Sequence, residues 1–408
     1  MATVRLPGSK SLTNRELVLS ALAASPSVLI NPLVSRDSEL MIQALRNLGV
    51  EIRQQTDSVK IFPKELMGET KIDCGLAGTV MRFIPPLAAL AKGSVEFDGD
   101  PQARQRPMGT TIDSLRKLGI EVKSQNQALP FTVIGSGQVA GGKLEIDASK
   151  SSQFVSGLLL AAPRFEQGLT LSHVGEHVPS LPHIDMTLKC LQERNISAHA
   201  TSETSWEVKP GEIAGAEVEI EPDLSNAGPF LAAALVTGSE VRVDGWPTST
   251  TQVGDEFRNL LSQMGAEVSL SGSTLRVRGT GQILGIKVDM SKAGELVPTI
   301  AAIAALASSS SEITGIAHLR GHETDRIKAL VTEINRIGGH AEELEDGIAI
   351  TPAKLGGGMW HTYADHRMAT AGAIIGLRVP GIEIEDIGVT RKTMPEFPRL
   401  WLKMLAGN

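Results

Sequence analysis

The sequence is poor in aromatic residues and carries no excess of positive charge. Aromatic residues make up 3% of the 408 residues, with one tyrosine, Tyr363. So few aromatic rings argue against the stacking platforms that bind single-stranded nucleic acid. The formal net charge of −7 is opposite to that of proteins that coat nucleic acid or an anionic membrane. If the chain binds anions, a local cluster of Lys and Arg must hold them, which favours a small ligand over a polymer.

Cysteine and long apolar runs are also scarce. Cys74 and Cys190 form neither a disulfide framework nor the paired spacing of zinc ligands. The longest apolar run, near residues 297–307, is too short to cross a bilayer, and no signal-peptide pattern precedes it. We therefore expect a cytoplasmic protein that has no metal site and partners neither nucleic acid nor membrane.

Residues 7–15 read Pro-Gly-Ser-Lys-Ser-Leu-Thr-Asn-Arg and lead directly into an apolar-periodic helix at residues 16–24. The first turn of a helix has unpaired N–H groups and a partial positive charge, so this junction favours a bound anion. It is not a Walker A loop, because Ser9 stands where that motif needs glycine. The simpler alternative is an ordinary helix cap with solvated cations, the cap being Ser11, Thr13 or Asn14.

The chain repeats itself about six times, at intervals of about 70 residues. One recurring sequence pattern is an Ala/Leu-rich helix end, a turn residue and a short strand. It is found at 22–30, 90–97, 165–171, 235–243, 307–314 and 377–384. A second pattern is an amphipathic helix that ends at a glycine and is followed by a strand. It recurs at 45–52, 115–122, 191–198, 261–268 and 334–342. The repeat is therefore strand–helix–strand–helix plus further strands, and its almost wholly apolar first helix belongs inside a domain. The alternative is a doubly wound sheet with coincidental similarity.

The repeats predict two domains of three copies each. A boundary near Glu221-Pro222 leaves three copies on either side. A strand over Thr3–Leu6 precedes the first full copy and is expected to pair with the second half of the chain. The predicted domains are therefore residues 9–221 and residues 1–8 plus 222–408, so that the chain crosses between them twice.

Polar clusters interrupt the repeat, mostly where a loop runs into a helix. They are Gly75–Arg82, the arginines Arg104 and Arg106, Ser151-Ser152-Gln153, His322–Arg326, Asp365–Met368 and Arg391–Glu396. Each alone has an ordinary structural explanation, such as a helix cap or an i,i+3 ion pair. Together they come from both halves of the chain, and a cleft between two domains is where such loops are expected to converge.

These motifs, in this order, closely resemble those of the 5-enolpyruvylshikimate-3-phosphate synthase family, and the resemblance runs from about Val4 to Leu405. It implies a mixed α/β (α+β) protein with the two-domain enolpyruvyl-transferase fold. Each domain of that fold is an inside-out α/β barrel of three βαβαββ units, and the active site lies in the interdomain cleft. The resemblance also implies transfer of the enolpyruvyl group of phosphoenolpyruvate to the 5-hydroxyl of shikimate 3-phosphate, with release of phosphate. It implies a monomer without metal or organic cofactor.

The site residues that the resemblance implies follow from their positions in the motifs. The shikimate 3-phosphate ligands are Lys10, Ser11, Arg15, Ser151, Ser152, Gln153, Ser180, Glu295 and His322. The phosphoenolpyruvate ligands are Lys10, Gly78, Arg106, Gln153, Arg326, Arg367 and Lys392. Both substrates carry phosphate and carboxylate, which explains a cation-rich site in an acidic protein.

The implied chemistry needs a base for the 5-hydroxyl proton and an acid that protonates the methylene carbon of phosphoenolpyruvate. The resemblance implies Glu295 as the base and Glu323 as the acid, with Lys10 assisting proton transfer. To donate near neutrality, Glu323 needs a raised pKa.

The chain departs from the common family pattern at single positions. They are Glu295 for a frequent Asp, Leu76 for Asn, Phe83 for Pro, His183 for Tyr, His318 for Asn and His322 for Lys. These departures place single contacts in question, above all the contact of His322 with shikimate 3-phosphate.

Three alternative functions fit the sequence motifs less well. A sister transferase acting on UDP-N-acetylglucosamine shares the fold and phosphoenolpyruvate, but it usually places a cysteine acid in a mobile loop, where this chain has none. A non-catalytic paralogue would bind the ligands without releasing phosphate, and only the departures Leu76 and His322 support it. A P-loop kinase lacks its required glycine.

Overall fold

The computed structural model describes residues 2–407 of the chain. They divide into two compact units: the N-lobe, Gly8–Ile220, and the C-lobe, which combines residues 2–7 with residues 221–407. The chain therefore passes from one lobe to the other after Pro7 and again after Ile220.

The strands, in chain order, are β1 (Ala2–Arg5), β2 (Ser27–Ile30), β3 (Glu51–Gln54), β4 (Ser58–Phe62), β5 (Thr70–Asp73), β6 (Lys92–Asp98), β7 (Glu121–Ser124), β8 (Phe131–Ser136), β9 (Gly142–Ile146), β10 (Leu169–His173), β11 (Ala198–Ser202), β12 (Ser205–Val208), β13 (Glu217–Glu219), β14 (Glu240–Asp244), β15 (Ala266–Ser271), β16 (Thr274–Gly279), β17 (Lys287–Asp289), β18 (Ser311–Thr314), β19 (His340–Leu344), β20 (Gly347–Thr351), β21 (Gly358–Trp360) and β22 (Ile382–Ile384).

The helices are α1 (Lys10–Leu22), α2 (Arg36–Asn47), α3 (Gly78–Ala89), α4 (Gly109–Lys117), α5 (Gln153–Ala161), α6 (Pro182–Glu193), α7 (Leu224–Thr237), α8 (Phe257–Gln263), α9 (Val297–Ala304), α10 (Arg326–Arg336), α11 (His366–Gly376) and α12 (Phe397–Leu405). Within residues 2–407, no helix combines the length and apolar character that a membrane crossing needs.

The sheets of residues 2–407 repeat one topology. Five have four strands, as in the order β5-β6-β8-β7, where β5 and β6 are parallel and β8 pairs antiparallel with both β6 and β7. The sixth has only the parallel pair β21 and β22. The predicted mixed α/β repeat is thus confirmed, except that the sixth copy ends in α12 and has no closing hairpin among the described residues.

Two parallel pairings join strands that lie far apart in the sequence but in the same lobe. β1 pairs in parallel with β14, with Ala2 opposite Val241, so the pairing predicted for the first strand is confirmed, although the strand begins one residue earlier than expected. Within the N-lobe, β13 pairs in parallel with β2, with Glu217 opposite Val28.

The core of each lobe is a set of three helices in mutual contact, α1, α3 and α5 in the N-lobe and α7, α9 and α11 in the C-lobe. Every residue of α3 and of α9 is buried. A helix that is apolar on all sides belongs inside a protein, so the prediction of inner first helices is confirmed. The N-termini of these six helices carry most of the predicted site residues.

Candidate functional site

In the N-lobe, α1 begins at the first predicted anion-binding residues. Its cap is Ser9, whose hydroxyl accepts a hydrogen bond from the backbone N–H of Leu12 at 3.5 Å. None of the three residues considered as alternatives is therefore the cap. Lys10 is the first helical residue, and its Nζ lies 3.7 Å from Oδ2 of the buried Asp37. The half-buried Ser11 follows in the first turn.

Arg15 is almost fully buried, with 2% of its surface exposed. Its Nε donates to Thr187 Oγ1 at 2.8 Å, and one Nη donates to the carbonyl of His183, also at 2.8 Å. The other Nη of Arg15 donates to the carbonyl of Ser11 at 2.9 Å. The guanidinium therefore fixes α1 against the start of α6, in addition to the ligand role predicted for it.

The inner N-lobe helices meet near their N-termini. Asn14 of α1 donates to Thr79 Oγ1 of α3 at 2.8 Å, and Arg15 reaches Ser156 Oγ of α5 at 3.3 Å. Each N-terminus presents backbone N–H groups and a partial positive charge. Their proximity creates a region of positive potential that suits an anion.

Gly78, Arg106 and Gln153 come together at the start of α3, as their shared assignment to phosphoenolpyruvate requires. A Cβ added at Gly78 would lie 2.9 Å from Gln153 Oε1 and 3.0 and 3.1 Å from the two Nη atoms of Arg106. One Nη of Arg106 donates to the carbonyl of Leu76 at 3.3 Å. Any side chain at position 78 would therefore displace both polar groups.

The remaining N-lobe residues lie at the starts of α5 and α6. Ser151 Oγ accepts from the backbone N–H of Gln153 at 3.2 Å, whereas the 4% exposed Ser152 occupies the cap position without a capping bond from its hydroxyl. Ser180 has a φ of 54°, in the left-handed region that most residues avoid. Such strain is concentrated at functional sites, so this observation supports a role for Ser180.

Arg82, which was not among the predicted ligands, adds a buried cation near this site. Its side chain donates to the carbonyls of Gly78 and Pro107, at 3.5 and 3.0 Å, and its Nε has no hydrogen-bond partner among the described residues. Burial, and then the guanidinium of Arg106, lower the pKa of Arg82 well below its ordinary value. A cation that is costly to bury without a counter-charge increases the local preference for an anion.

In the C-lobe, Glu323 lies among cations just before α10. Its Oε1 is 2.5 Å from Lys392 Nζ and 3.9 Å from Arg326 Nη2, and its Oε2 is 3.2 Å from His366 Nδ1. Burial alone would raise the pKa of this carboxyl, but Lys392, then His366 and Arg326 hold it well below its ordinary value. The raised pKa that donation by Glu323 near neutrality would need is therefore absent here, because three neighbours that the sequence separates favour the carboxylate.

Asp365 orients both predicted arginines of this cluster. Its oxygens accept from Arg326 Nε and Nη2 at 2.7 and 3.1 Å, in a buried bidentate pair. As the cap of α11, it also accepts from the backbone N–H of Arg367 at 2.9 Å. Burial tends to raise the pKa of Asp365, but the Arg326 guanidinium outweighs it and holds the pKa below its usual value.

The predicted base, Glu295, lies in a 3₁₀ turn, Gly294–Leu296, that leads into α9. Its Oε1 accepts a hydrogen bond from Ser225 Oγ at the start of α7, and its Oε2 is 3.9 Å from Arg367 Nη2. The start of α7, the turn before α9 and the start of α11 thus meet at one carboxylate. A Cβ at Gly294 would lie 2.5 Å from His318 Nε2, so His318 stands directly beside this turn.

His322 also lies beside this cluster. Its Nδ1 is 3.4 Å from Arg326 Nη1, and its ring centroid is 5.8 Å from that of His318. Two of the three histidines that depart from the family pattern, His318 and His322, are therefore neighbours.

One trio of residues has the donors of a metal site. Glu323, Asp365 and His366 each offer a ligand atom, and these atoms lie within 4.8 Å of one another. Both carboxylates already bind cationic side chains, Lys392 and Arg326. A metal ion would have to compete with those cations, so we assign the trio to an ion-pair network.

Sequence reasoning missed the partners that orient the ligands. Asp365 and His366 lie in a motif that it quoted, but their contacts with Arg326 and Glu323 span about forty residues of sequence, which no local pattern reveals. Ser225 gave no signal beyond its place two residues after the helix cap Asp223. Arg82 was visible only as part of the glycine-rich motif.

Cations and carboxylates at helix N-termini, on a repeated βαβαββ fold, define an enzyme class that handles small anionic substrates. Comparison with known proteins identifies the member of that class. The family model "EPSP synthase (3-phosphoshikimate 1-carboxyvinyltransferase)" matches residues 1–401. A 3-phosphoshikimate 1-carboxyvinyltransferase of Kocuria rhizophila is 55% identical over 418 residues, which cover 100% of this chain and 94% of that protein. The chain belongs to the EPSP synthase family.

Solved structures agree on the fold. Two structures of EPSP synthase from Acinetobacter baumannii superpose with TM-scores of 0.80 and 0.79, at 24% sequence identity. Each covers 98% of this chain and 95% of its own chain. The protein is thus an enzyme of aromatic amino acid biosynthesis that transfers the enolpyruvyl group of phosphoenolpyruvate to shikimate 3-phosphate.

Proposed function

We propose that the side chains gathered at the helix N-termini of both lobes bind the two substrates and carry the transfer. Shikimate 3-phosphate is held by the residues at the starts of α1, α5 and α6, with Glu295 and His322. Phosphoenolpyruvate is held by Lys10, by the group around Gly78, and by Arg326, Arg367 and Lys392. The single observation that carries the proposal is the contact of Glu323 with Lys392 at 2.5 Å, which pairs a carboxylate with a proton source beside Arg326.

In the addition step, Glu295 takes the proton of the 5-hydroxyl, and the freed oxygen forms a bond to C2 of phosphoenolpyruvate. The C2–C3 double bond becomes single as C3 takes up a proton. Because neighbouring cations hold the pKa of Glu323 below its ordinary value, we assign that proton to the Lys392 ammonium, which gives it up either directly or through the Glu323 carboxylate. The product of this step is a tetrahedral intermediate. Each positioned acid or base contributes about 10²–10⁴ in rate.

In the elimination step, the bond from C2 to the phosphate oxygen breaks, and one proton leaves the new methyl group. The electron pair of that C–H bond restores the double bond. The departing phosphate oxygen takes up the proton that Glu295 removed from the 5-hydroxyl, and inorganic phosphate is released. The lowered pKa of Glu323 suits this step, because an ionised carboxylate is the form that accepts a proton. Glu323 thus takes part in both steps, and it passes the proton that it accepts back to Lys392.

The first test is phosphate release from phosphoenolpyruvate, with and without shikimate 3-phosphate. We expect release only when shikimate 3-phosphate is present, and none when UDP-N-acetylglucosamine replaces it. Binding of shikimate 3-phosphate without release would instead identify a non-catalytic paralogue.

The second test is Glu295→Gln. We expect turnover to fall by at least about a hundredfold while affinity for shikimate 3-phosphate stays close to that of the unmodified enzyme, because only the proton acceptor is lost. The exposed Glu342, in β19 of the same lobe, supplies the matched control Glu342→Gln, which should leave turnover unchanged. Near-normal turnover of the Glu295 variant would remove that residue from the role.

We also propose that the enzyme works as a monomer in the cytoplasm. Light scattering during gel filtration should then give the mass of one chain, and a mass of two chains would replace the monomer with a dimer.

A further inference from the structure

The loop that leads into α11 has an unusual backbone. Tyr363 and Ala364 are consecutive and both have a φ of 54°. Neither is glycine, and neither belongs to the residue types that adopt left-handed conformations readily. Two such residues in succession persist only where surrounding contacts hold them. The residues that follow at once are Asp365, His366 and Arg367, which are part of the cluster described above.

A buried carboxylate holds this loop at two points. Glu333 of α10 is 0% exposed, and its Oε1 accepts a hydrogen bond from the Tyr363 hydroxyl at 2.5 Å. Its Oε2 accepts from the backbone N–H of His361 at 3.0 Å and from Arg336 Nε at 3.1 Å. One carboxylate thus binds the start of the loop through the backbone and its middle through the phenol.

The same helix also holds the end of the loop. Arg326 and Glu333 are seven residues apart on α10, so they share one face of the helix, about two turns apart. Arg326 binds the Asp365 carboxylate, and Glu333 binds Tyr363. Helix α10 therefore contacts the loop on both sides of the left-handed pair and can set the direction in which α11 begins.

We propose that Tyr363 is a positioning residue: its hydroxyl, on the buried carboxylate of Glu333, keeps residues 363 and 364 left-handed and thereby aims Arg367 at phosphoenolpyruvate and His366 at the Glu323 carboxylate. Tyr363 itself touches neither substrate. This inference rests on the proposed role of Arg367 in binding phosphoenolpyruvate, so its effect falls mainly on that substrate.

The contact can be tested without measuring activity. Tyr363 is the only tyrosine in the chain, so the ultraviolet absorbance of ionised phenol reports on this residue alone. Burial, and then the hydrogen bond to Glu333, raise the pKa of Tyr363 to about 12. In Glu333→Gln the phenol should titrate closer to its ordinary value of about 10. A phenol that titrates near that ordinary value in the unmodified protein would overturn the contact and the proposal with it.

The kinetic test is Tyr363→Phe, which removes only the hydroxyl. We expect kcat/KM for phosphoenolpyruvate to fall about tenfold, mostly through KM, because small misplacements of a binding group cost rates of this order. The KM for shikimate 3-phosphate should stay within about twofold of normal. Combining Tyr363→Phe with Glu333→Gln should cost no more than the more severe single change, because both remove one interaction.

Two further variants separate positioning from a general loss of stability. Thr274→Val removes a comparable hydroxyl from a carboxylate, that of Asp244 at 3.0 Å, in a sheet of the same lobe, and should leave both KM values unchanged. Ala364→Gly, added to Tyr363→Phe, should restore part of the lost kcat/KM, because glycine adopts a positive φ without penalty. The proposal fails if Tyr363→Phe has a normal KM for phosphoenolpyruvate, if Thr274→Val shows the same loss, or if glycine at 364 restores nothing. Phosphate release by the unmodified enzyme tests the proposed function separately.

Discussion

Asp365→Asn isolates one ion pair at the centre of the C-lobe cluster. The Asp365 carboxylate has two functions, as the bidentate partner of Arg326 and as the cap that accepts from the Arg367 N–H. Asparagine keeps an oxygen for the cap but loses the charge. Alanine loses both. Comparing the two variants therefore separates the contribution of the ion pair from that of the cap.

The magnitude follows from the burial of the pair. The side chains of Arg326 and Asp365 are 2% and 0% exposed, so water cannot compensate for a lost partner. Removing one member of a buried pair costs about 3–5 kcal/mol, and Glu323, 3.9 Å from Arg326, offsets part of it. We expect the free energy of unfolding to fall by about 3 kcal/mol in Asp365→Asn and by about 4 kcal/mol in Asp365→Ala.

The pH dependence has a definite sign. Burial alone would raise the pKa of Asp365, but Arg326 outweighs it, and the pKa is lower in the folded than in the unfolded protein. The pair therefore stabilises the fold above the unfolded pKa, about 3.9, and this contribution is lost as the pH falls below that value. The difference between wild type and Asp365→Asn should consequently shrink in that acid range.

Urea unfolding followed by tryptophan fluorescence measures these differences, because Trp246, Trp360 and Trp401 belong to the C-lobe and Trp360 donates to the carbonyl of Met368 in α11 at 2.8 Å. The matched control is Asp386→Asn, which changes another capping aspartate whose oxygen accepts from Gly388 N–H at 2.7 Å. It should cost no more than about 0.5 kcal/mol. If Asp365→Asn is as mild as this control, the buried pair does not stabilise the lobe and the reasoning is refuted.

Three further predictions concern single contacts. Gly78→Ala should raise KM for phosphoenolpyruvate about tenfold or more, because the added methyl group displaces Arg106. An unchanged KM in steady-state assays would contradict this predicted steric clash. Arg194→Met should cost about 3 kcal/mol by leaving the buried Glu16 without its partner, 2.6 Å away. Adding Glu16→Gln should recover most of this lost stability in urea unfolding. A double variant as unstable as Arg194→Met would contradict the claim that the unpaired Glu16 carboxylate causes the loss. If His322 contacts the phosphate of shikimate 3-phosphate, affinity measured by calorimetry should weaken as pH rises from about 6 to 8, whereas a flat profile would exclude the contact.

Local patterns in the sequence determined the repeat and the positions of the helix starts. Glycine closures and apolar periodicity recur because each copy must end an amphipathic helix and bury an apolar one. Helices begin next to the quoted motifs at Lys10, Gly78, Gln153, Arg326 and His366, because caps and turns are encoded within a few residues. The family resemblance added the fold and the reaction, which comparison with known proteins bears out.

Only the tertiary structure decided which side chains contact the same carboxyl group, and in which direction they shift its pKa. The pKa of Glu323 is lowered rather than raised, because Lys392 and His366 come from segments far along the chain and their fields outweigh the cost of burial. The pairing of β13 with β2 in the N-lobe likewise joins strands nearly two hundred residues apart. Electrostatic energies depend on distances in space, which a linear pattern of residues does not specify.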